Sequence, residues 1–149
     1  MLLRGDYKLS SFNIETKKYV DFTPDEIKEY LDNFRRIILE GKYIISKNEN
    51  RKENIDFIED YKIDSKKEKE ILLGIQYDDF CYAVDNYKKE FSHEKLYIFC
   101  KKYKLDNWGS LELVDIYIKT NITQTRKGDD VIIVISFHKR NKPIKYLFK

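Results

Sequence analysis

Apolar positions recur at helical spacing in the first half of the chain and at strand spacing in the second half. The clearest helical signal lies in residues 23–41. It opens with the sequence TPDE, a capping box from Thr23 to Glu26 with proline at the first helical position, and Gly41 ends it. The apolar positions between these two signals predict one buried stripe, made of Ile27, Tyr30, Leu31, Phe34, Ile37 and Ile38.

Two further helices are predicted before the strand-like half begins. The second covers residues 51–61, with Ile55, Phe57 and Ile58 facing inward. The third begins at Ser65, where SKKE repeats the capping-box pattern, and ends near Gly74. Residues 42–46 predict a short strand or an extended link, and residues 76–91 follow no clear period.

Three segments rich in β-branched and aromatic residues follow: 95–103, 111–123 and 130–139. The turn sequences DNWG and RKGD separate them, which predicts an antiparallel meander, and Pro143 ends the pairing. Helices followed by strands predict one α+β domain over residues 1–149, with N-terminal helices packed on a C-terminal antiparallel sheet of about three strands. Residues 1–22 alternate weakly and predict an N-terminal arm or extra strand beside a core of residues 23–149.

Alternation along the predicted strands assigns side chains to the two faces of the sheet. On the middle strand, the face predicted to lie under the helices carries Val114, Ile116, Ile118 and Ile122. The opposite, open face carries Leu113, Asp115, Tyr117 and Lys119. On the last strand, simple alternation groups Ile132 and Val134 with Ser136 and His138, opposite Ile133, Ile135 and Phe137.

Composition is that of a globular domain, with 42% hydrophobic and 37% charged residues. Aromatic residues reach 15%, which favours sheet and supplies flat faces for stacking on bases, although an A/T-rich genome gives the same enrichment. Cys81 and Cys100 form neither a CxxC pair nor a zinc set. Because the first residues resemble no signal peptide and no apolar run could span a bilayer, we expect a cytoplasmic protein with reduced thiols and no membrane contact.

Charge is distributed unevenly along the chain. Residues 95–149 hold 12 Lys and Arg against 5 Asp and Glu, whereas residues 1–94 hold 17 against 21. A basic segment beside an acidic one is typical of a protein with a polyanionic partner, and the alternative is a solvated charged surface without a ligand. The predicted RNA contacts are Lys101, Lys102, Lys139, Arg140, Lys142, Lys145 and Tyr146.

Candidate chemistry lies in the same basic segment. Cleavage of RNA without a metal needs a base for the 2′-hydroxyl, an acid for the leaving oxygen and cations around the phosphate. His138, Tyr117 and Lys119 are the predicted catalytic residues, whereas His93 lies in a hydrophilic stretch and is expected at the surface. No glycine-rich phosphate loop, HExxH motif or Cys/His cluster occurs in the sequence, so no metal or other cofactor is expected.

The order of segments resembles the MqsR family of toxin endoribonucleases, within the RelE-like group. The resemblance covers residues 23–149 and is carried by RKENIDFIEDYKI, EILLGIQYDDF, YIFCKK, DIYIKTNI and DVIIVISFHK, most specifically by YIK and ISFH. It implies a RelE-like fold and a toxin that cuts mRNA without a metal and is held silent by a cognate antitoxin protein. The family's tyrosine falls on Tyr117, and its C-terminal catalytic lysine falls on His138.

Two alternatives to an RNA-cleaving toxin stay open at the level of sequence. One is a non-catalytic module, such as a phage-encoded inhibitor, that binds RNA or an acidic protein through the same basic sheet face. In that case His138 is only a residue at the end of a strand. The other is a structural domain whose basic face has no ligand.

Overall fold

The computed structural model describes residues 17–86, 88 and 93–149. Among these residues the helices are α1 (Pro24–Leu39), α2 (Lys52–Asp60) and α3 (Ser65–Leu73). The strands are β1 (Tyr43–Ile45), β2 (Phe80–Asp85), β3 (Lys95–Asn107), β4 (Ser110–Gln124) and β5 (Asp130–Lys139). Single 3₁₀ turns at Glu49–Arg51 and Tyr77–Asp79 precede α2 and β2.

The five strands form one mixed sheet in the order β1-β5-β4-β3-β2. β1 runs parallel to β5, and the other pairs are antiparallel. The α+β class and the β3–β4–β5 meander are therefore confirmed, but the prediction of about three antiparallel strands is wrong. Residues 42–46, predicted as a short strand or an extended link, do contain β1, but its three residues are too few to indicate that it joins the sheet. The first five residues of β2 are all buried, so this strand lacks the alternation that marks a half-exposed strand.

Of the two capping boxes predicted from the sequence, the one at α1 is confirmed and the one at α3 is wrong. At α1 the capping box is complete: Glu26 N donates to Thr23 Oγ1 at 3.2 Å and Thr23 N donates to Glu26 Oε1 at 2.8 Å. At α3 the predicted box is wrong, because Asp64 is the N-cap and accepts from Lys67 N at 2.8 Å. With Asp64 as the N-cap, Lys67 occupies the third helical position, so Glu68 lies one residue beyond the place that a capping box requires.

α2 covers the edge of β5 that β1 does not reach. β1 pairs only with Ile132 to Val134. Beyond them, Asn54 Nδ2 donates to the carbonyl oxygen of Ile135 at 3.0 Å and Asn54 Oδ1 accepts from Phe137 N at 2.9 Å. The same amide donates to Ser46 O at 2.9 Å. Asn54, which the sequence did not single out, thus replaces a neighbouring strand for two backbone groups.

Hydrophobic clusters cover both faces of the sheet. The main core lies between the sheet and the helices and includes Val114, Ile116 and Ile118 of β4, as the alternation predicted, with Ile122 at its margin. A second cluster occupies the open face and contains Cys81, Tyr82, Val84, Leu96, Ile98, Cys100 and Tyr117. Ile144 and Tyr146 of the C-terminal segment pack against this second cluster, so the open face is partly covered.

A β-bulge changes which face the end of β5 presents. Lys119 pairs with Ser136 while the next residue, Thr120, pairs with Val134, so Ile135 has no partner in the ladder. Ser136 and His138 therefore lie on the open face, opposite Val134. Ile135 keeps the face of Ile133, so the simple alternation predicted for this strand is wrong from Ser136 onward. The correction brings His138 to the same face as Tyr117, its direct cross-strand neighbour.

Candidate functional site: a lysine pocket on the open sheet face

A cavity of about 540 Å³ lies on the open face of the sheet, and we call it the lysine pocket. Its floor comes from β2, β3 and β4, whose residues Tyr82, Ile98 and Lys119 stand side by side in register. Its rim comes from the segment before α1 and the segment after β5. The lining residues are Lys17, Lys18, Tyr82, Val84, Ile98, Tyr117, Lys119 and Lys142. No acidic side chain is among the described residues that line it, so the pocket is suited to an anion.

Lys119 is the most enclosed cation of the pocket. Burial lowers the pKa of its ammonium group, and the positive charges of Arg51 and Lys142 lower it further. An anion placed in the pocket would relieve this repulsion and would favour the protonated form of Lys119.

Two tyrosine rings hold two other lysines at the pocket. Lys18 Nζ lies 4.6 Å from the ring centroid of Tyr82, and Lys142 Nζ lies 5.1 Å from that of Tyr117. Cation–π contacts of this kind position an ammonium group without neutralising it. Both charges therefore remain available to a phosphate.

Tyr117 is buried, with 4% of its surface exposed. Burial raises the pKa of its hydroxyl, and the neighbouring Tyr82 hydroxyl raises it further. At neutral pH Tyr117 is therefore protonated, so that it serves as a hydrogen-bond donor and not as a base.

His138 stacks on Tyr117 across the two central strands, with ring centroids 5.4 Å apart and planes inclined by 19°. Its Nδ1 lies 2.8 Å from the carbonyl oxygen of Lys139. Because a carbonyl only accepts, Nδ1 carries the hydrogen, and in the neutral ring Nε2 holds the lone pair. His138 is thus set in the tautomer that can take a proton at Nε2.

His138 does not line the lysine pocket. It lines a neighbouring cavity of about 370 Å³ together with Tyr61, Lys139 and the acidic residues of α2. Glu53 Oε2 lies 3.9 Å from His138 Nδ1, and the histidine side chain is 12% exposed. Of the three predicted catalytic residues, Tyr117 and Lys119 share the lysine pocket, and Tyr117 separates it from His138. His93 is exposed, as predicted.

The predicted RNA contacts are dispersed over the surface. Lys142 alone among them lines the lysine pocket, Lys145 is exposed and Tyr146 packs over the open-face cluster. The remaining four have partners within the protein. Lys101 pairs with Asp79 at 3.7 Å, Lys102 and Arg140 pair with Asp115 at 2.8 Å and 3.4 Å, and the Tyr61 hydroxyl raises the pKa of Lys139.

Three cations at or near the pocket were not predicted from sequence: Lys17, Lys18 and Arg51. The first two reach the sheet because Tyr19 forms an isolated bridge with Ala83, with hydrogen bonds of 2.8 Å and 3.0 Å between their backbones. An arm or extra strand was predicted for residues 1–22. Residues 1–16 lie outside the described residues, and this single bridge is the pairing seen in the remainder of that segment.

Metal and thiol chemistry find no site in the described part of the chain. No group of three His, Cys, Asp or Glu residues able to hold a metal occurs there. Cys81 and Cys100 are buried free thiols, and burial raises the pKa of Cys81 to about 12, so it stays protonated and unreactive. None of the described helices is long and apolar enough to cross a membrane.

Comparison with known proteins returned no match to a family model, to a curated protein or to a solved structure.

Proposed function

We propose that this protein binds single-stranded RNA in the lysine pocket and cleaves it without a metal ion, as the toxin of a toxin–antitoxin system with a RelE-like fold. The observation that carries the proposal is the cation-lined cavity that holds Lys119 and Tyr117, with His138 stacked behind the tyrosine. The pocket supplies positive charge for a phosphate. The stacked pair supplies a hydrogen-bond donor, Tyr117, and a proton acceptor, His138.

The chemistry follows from the protonation states of these side chains. Nε2 of His138 removes the proton of a 2′-hydroxyl, whose oxygen attacks the adjacent phosphorus. The bond from phosphorus to the 5′-oxygen breaks, leaving a 2′,3′-cyclic phosphate and a 5′-hydroxyl. Lys119, protonated beside the phosphate, gives its proton to that leaving oxygen. Tyr117 donates a hydrogen bond to the phosphorane, and Lys18 and Lys142 balance its charge.

Cleavage is tested by incubating the purified protein with a labelled mixed-sequence RNA in the presence of EDTA. We expect fragments from the wild-type protein, and none from His138→Ala or Lys119→Met. Tyr117→Phe retains the ring that stacks on His138 and should cleave more slowly. RNA that stays intact at high protein concentration refutes the enzymatic proposal, and undiminished cleavage by both His138→Ala and Lys119→Met refutes the site assignment.

The toxin role makes a separate prediction in cells. Expression of the chain should arrest growth, and His138→Ala should relieve the arrest. Co-expression of a protein encoded beside it, the cognate antitoxin, should relieve it as well. Normal growth of cells that express soluble wild-type protein would contradict the toxin role while leaving RNA binding open.

A non-catalytic RNA-binding module is the second candidate, and the position of His138 favours it. The ring lines a different cavity from the lysine pocket and is largely covered. A base has to reach the 2′-hydroxyl beside the bound phosphate. RNA that binds with strong salt dependence and is released uncut would identify this second function.

A further inference from the structure

Another cavity, of about 320 Å³, lies beside the lysine pocket on the open face, and we call it the amide cavity. Leu96, Ile133 and Ile135 give it apolar walls, Asn86 and Asn121 give it amide groups, and Arg51 and Lys88 give it positive charge. Its volume falls at the lower end of the range of about 300–1,000 Å³ that is usual for small-molecule sites.

The two cavities are neighbours along the same strands. Lys119 of the lysine pocket and Asn121 of the amide cavity are alternate residues of β4, which places them on one face about 6.7 Å apart. Ile98 and Leu96 repeat this arrangement on β3. Arg51, which lines the amide cavity, lies near enough to Lys119 to lower its pKa. A ligand bound through a phosphate at Lys119 would therefore extend into the amide cavity.

Asn121 has an unused hydrogen-bonding position. Its Nδ2 donates to Glu94 Oε1 at 3.1 Å, and Thr123 Oγ1 donates to the other oxygen of Glu94 at 2.8 Å. Because an ionised carboxylate only accepts, Glu94 fixes the orientation of the amide. The remaining atom, Asn121 Oδ1, is buried and has no hydrogen-bond partner among the described residues. A buried acceptor without a partner is unfavourable, and a donor supplied by a ligand would satisfy it.

We propose that the amide cavity binds an unpaired nucleobase of the RNA whose phosphate lies in the lysine pocket. Asn121 Oδ1 selects this base by accepting a hydrogen bond from an N–H group of the base. The inference rests on the RNA binding proposed above. A phosphate diester carries no donor, so Asn121 Oδ1 disfavours a second phosphate in this position. Bases present N–H groups on their edges, and the apolar walls suit their flat faces.

The test measures the affinity of short single-stranded RNAs that are identical except for one base, for wild-type protein and Asn121→Ala. We expect the wild type to prefer one base about tenfold over the least favoured, as hydrogen-bonded base readout commonly gives. Asn121→Ala should bind all four within about twofold while keeping the common, salt-dependent affinity, because the phosphate contacts remain. Gln124→Ala is the matched control: it removes an exposed amide of the same strand that lines neither cavity and bonds only Asp130 among the described residues, and it should retain the preference.

Other outcomes separate this inference from the function on which it rests. RNA binding with no base preference, or a preference unchanged in Asn121→Ala, overturns the base site and leaves the RNA-binding proposal intact. Absence of RNA binding at low salt overturns both. Should Asn121→Ala not fold, Ile135→Phe fills the same cavity from its apolar wall, and it too must abolish the preference if the inference holds.

Discussion

Lys119 shows how the fold alters the chemistry of one residue. In an unfolded chain it would behave as an ordinary lysine, whose pKa is 10.5, but its enclosure beside Arg51 and Lys142 lowers that pKa in the folded protein. Between the lowered value and 10.5 the unfolded chain holds a proton that the folded protein has released. In that window the folded state gains stability as pH rises, since its charged lysine is the disfavoured form. A bound phosphate has the opposite effect on Lys119: it raises the pKa of the ammonium group and favours its protonated form.

The affinity for RNA should therefore fall as pH rises through the alkaline range below 10.5, at lower pH than for an ordinary lysine contact. In Lys119→Arg the charge at this position persists throughout that range, so this fall should disappear. Equilibrium binding measured across the pH range checks this. Identical pH profiles for wild type and Lys119→Arg would contradict the role of Lys119 as the enclosed cation that contacts phosphate.

At the scale of elements, backbone hydrogen bonds decide where sequence reasoning succeeds. α1 and the β3–β4–β5 meander were predictable because local signals, a capping box and turn residues, fix their ends. The bulge at Ile135 was not predictable, because it depends on how β4 and β5 align, and no residue type in β5 indicates a bulge. The role of Asn54 was hidden for the same kind of reason: its partners are backbone groups 8 to 83 residues away in sequence.

Replacement of Asn54 by alanine should lower the free energy of unfolding by about 3 kcal/mol, because it strands buried backbone groups of β5 without partners. Chemical denaturation measures the change. Glu59→Ala, an exposed site on the same helix, should change stability by no more than about 0.5 kcal/mol. Equal stabilities for the two variants would show that Asn54 does not substitute for a neighbouring strand.

The start of α3 gives a second, smaller test. Asp64→Ala should destabilise the domain by about 1 kcal/mol, since Lys67 N loses its acceptor. Ser65→Ala should leave the stability nearly unchanged, because alanine is a good helix former and Ser65 does not cap. Thermal unfolding of the two variants distinguishes them. A larger loss of stability for Ser65→Ala than for Asp64→Ala would contradict Asp64 as the N-cap and support the capping box predicted from Ser65.

At the scale of the whole molecule, the uneven charge of the sequence pointed to a polyanion but not to the surface that would bind it. Several of the C-terminal cations are paired with Asp79 or Asp115. The pocket draws instead on both ends of the chain, since Lys17 and Lys18 join Lys119 and Lys142. Only long-range folding brings these four together. Sequence therefore predicted Tyr117, Lys119 and Lys142 in the candidate site, and folding supplied the remainder.

The salt dependence of RNA binding should reflect how many lysines of the lysine pocket contact phosphates. Each phosphate contact with single-stranded RNA steepens the slope of log affinity against log salt by about 0.7. Lys142→Met should reduce that slope by roughly this amount, whereas Lys102→Met should change it little, because Lys102 is paired with Asp115. Titrations at several salt concentrations provide both slopes. A greater loss of slope in Lys102→Met would place the RNA on a different surface.

The most direct test of the central claim compares two double variants of equal charge. Lys119→Met with Lys142→Met removes two cations from the lysine pocket, and Lys66→Met with Lys127→Met removes two exposed cations outside it. Binding of labelled single-stranded RNA is measured for both and for the wild type at low salt. The account predicts near wild-type affinity for the outside pair and a loss of about a hundredfold for the pocket pair. Equal affinities for the two double variants would contradict it.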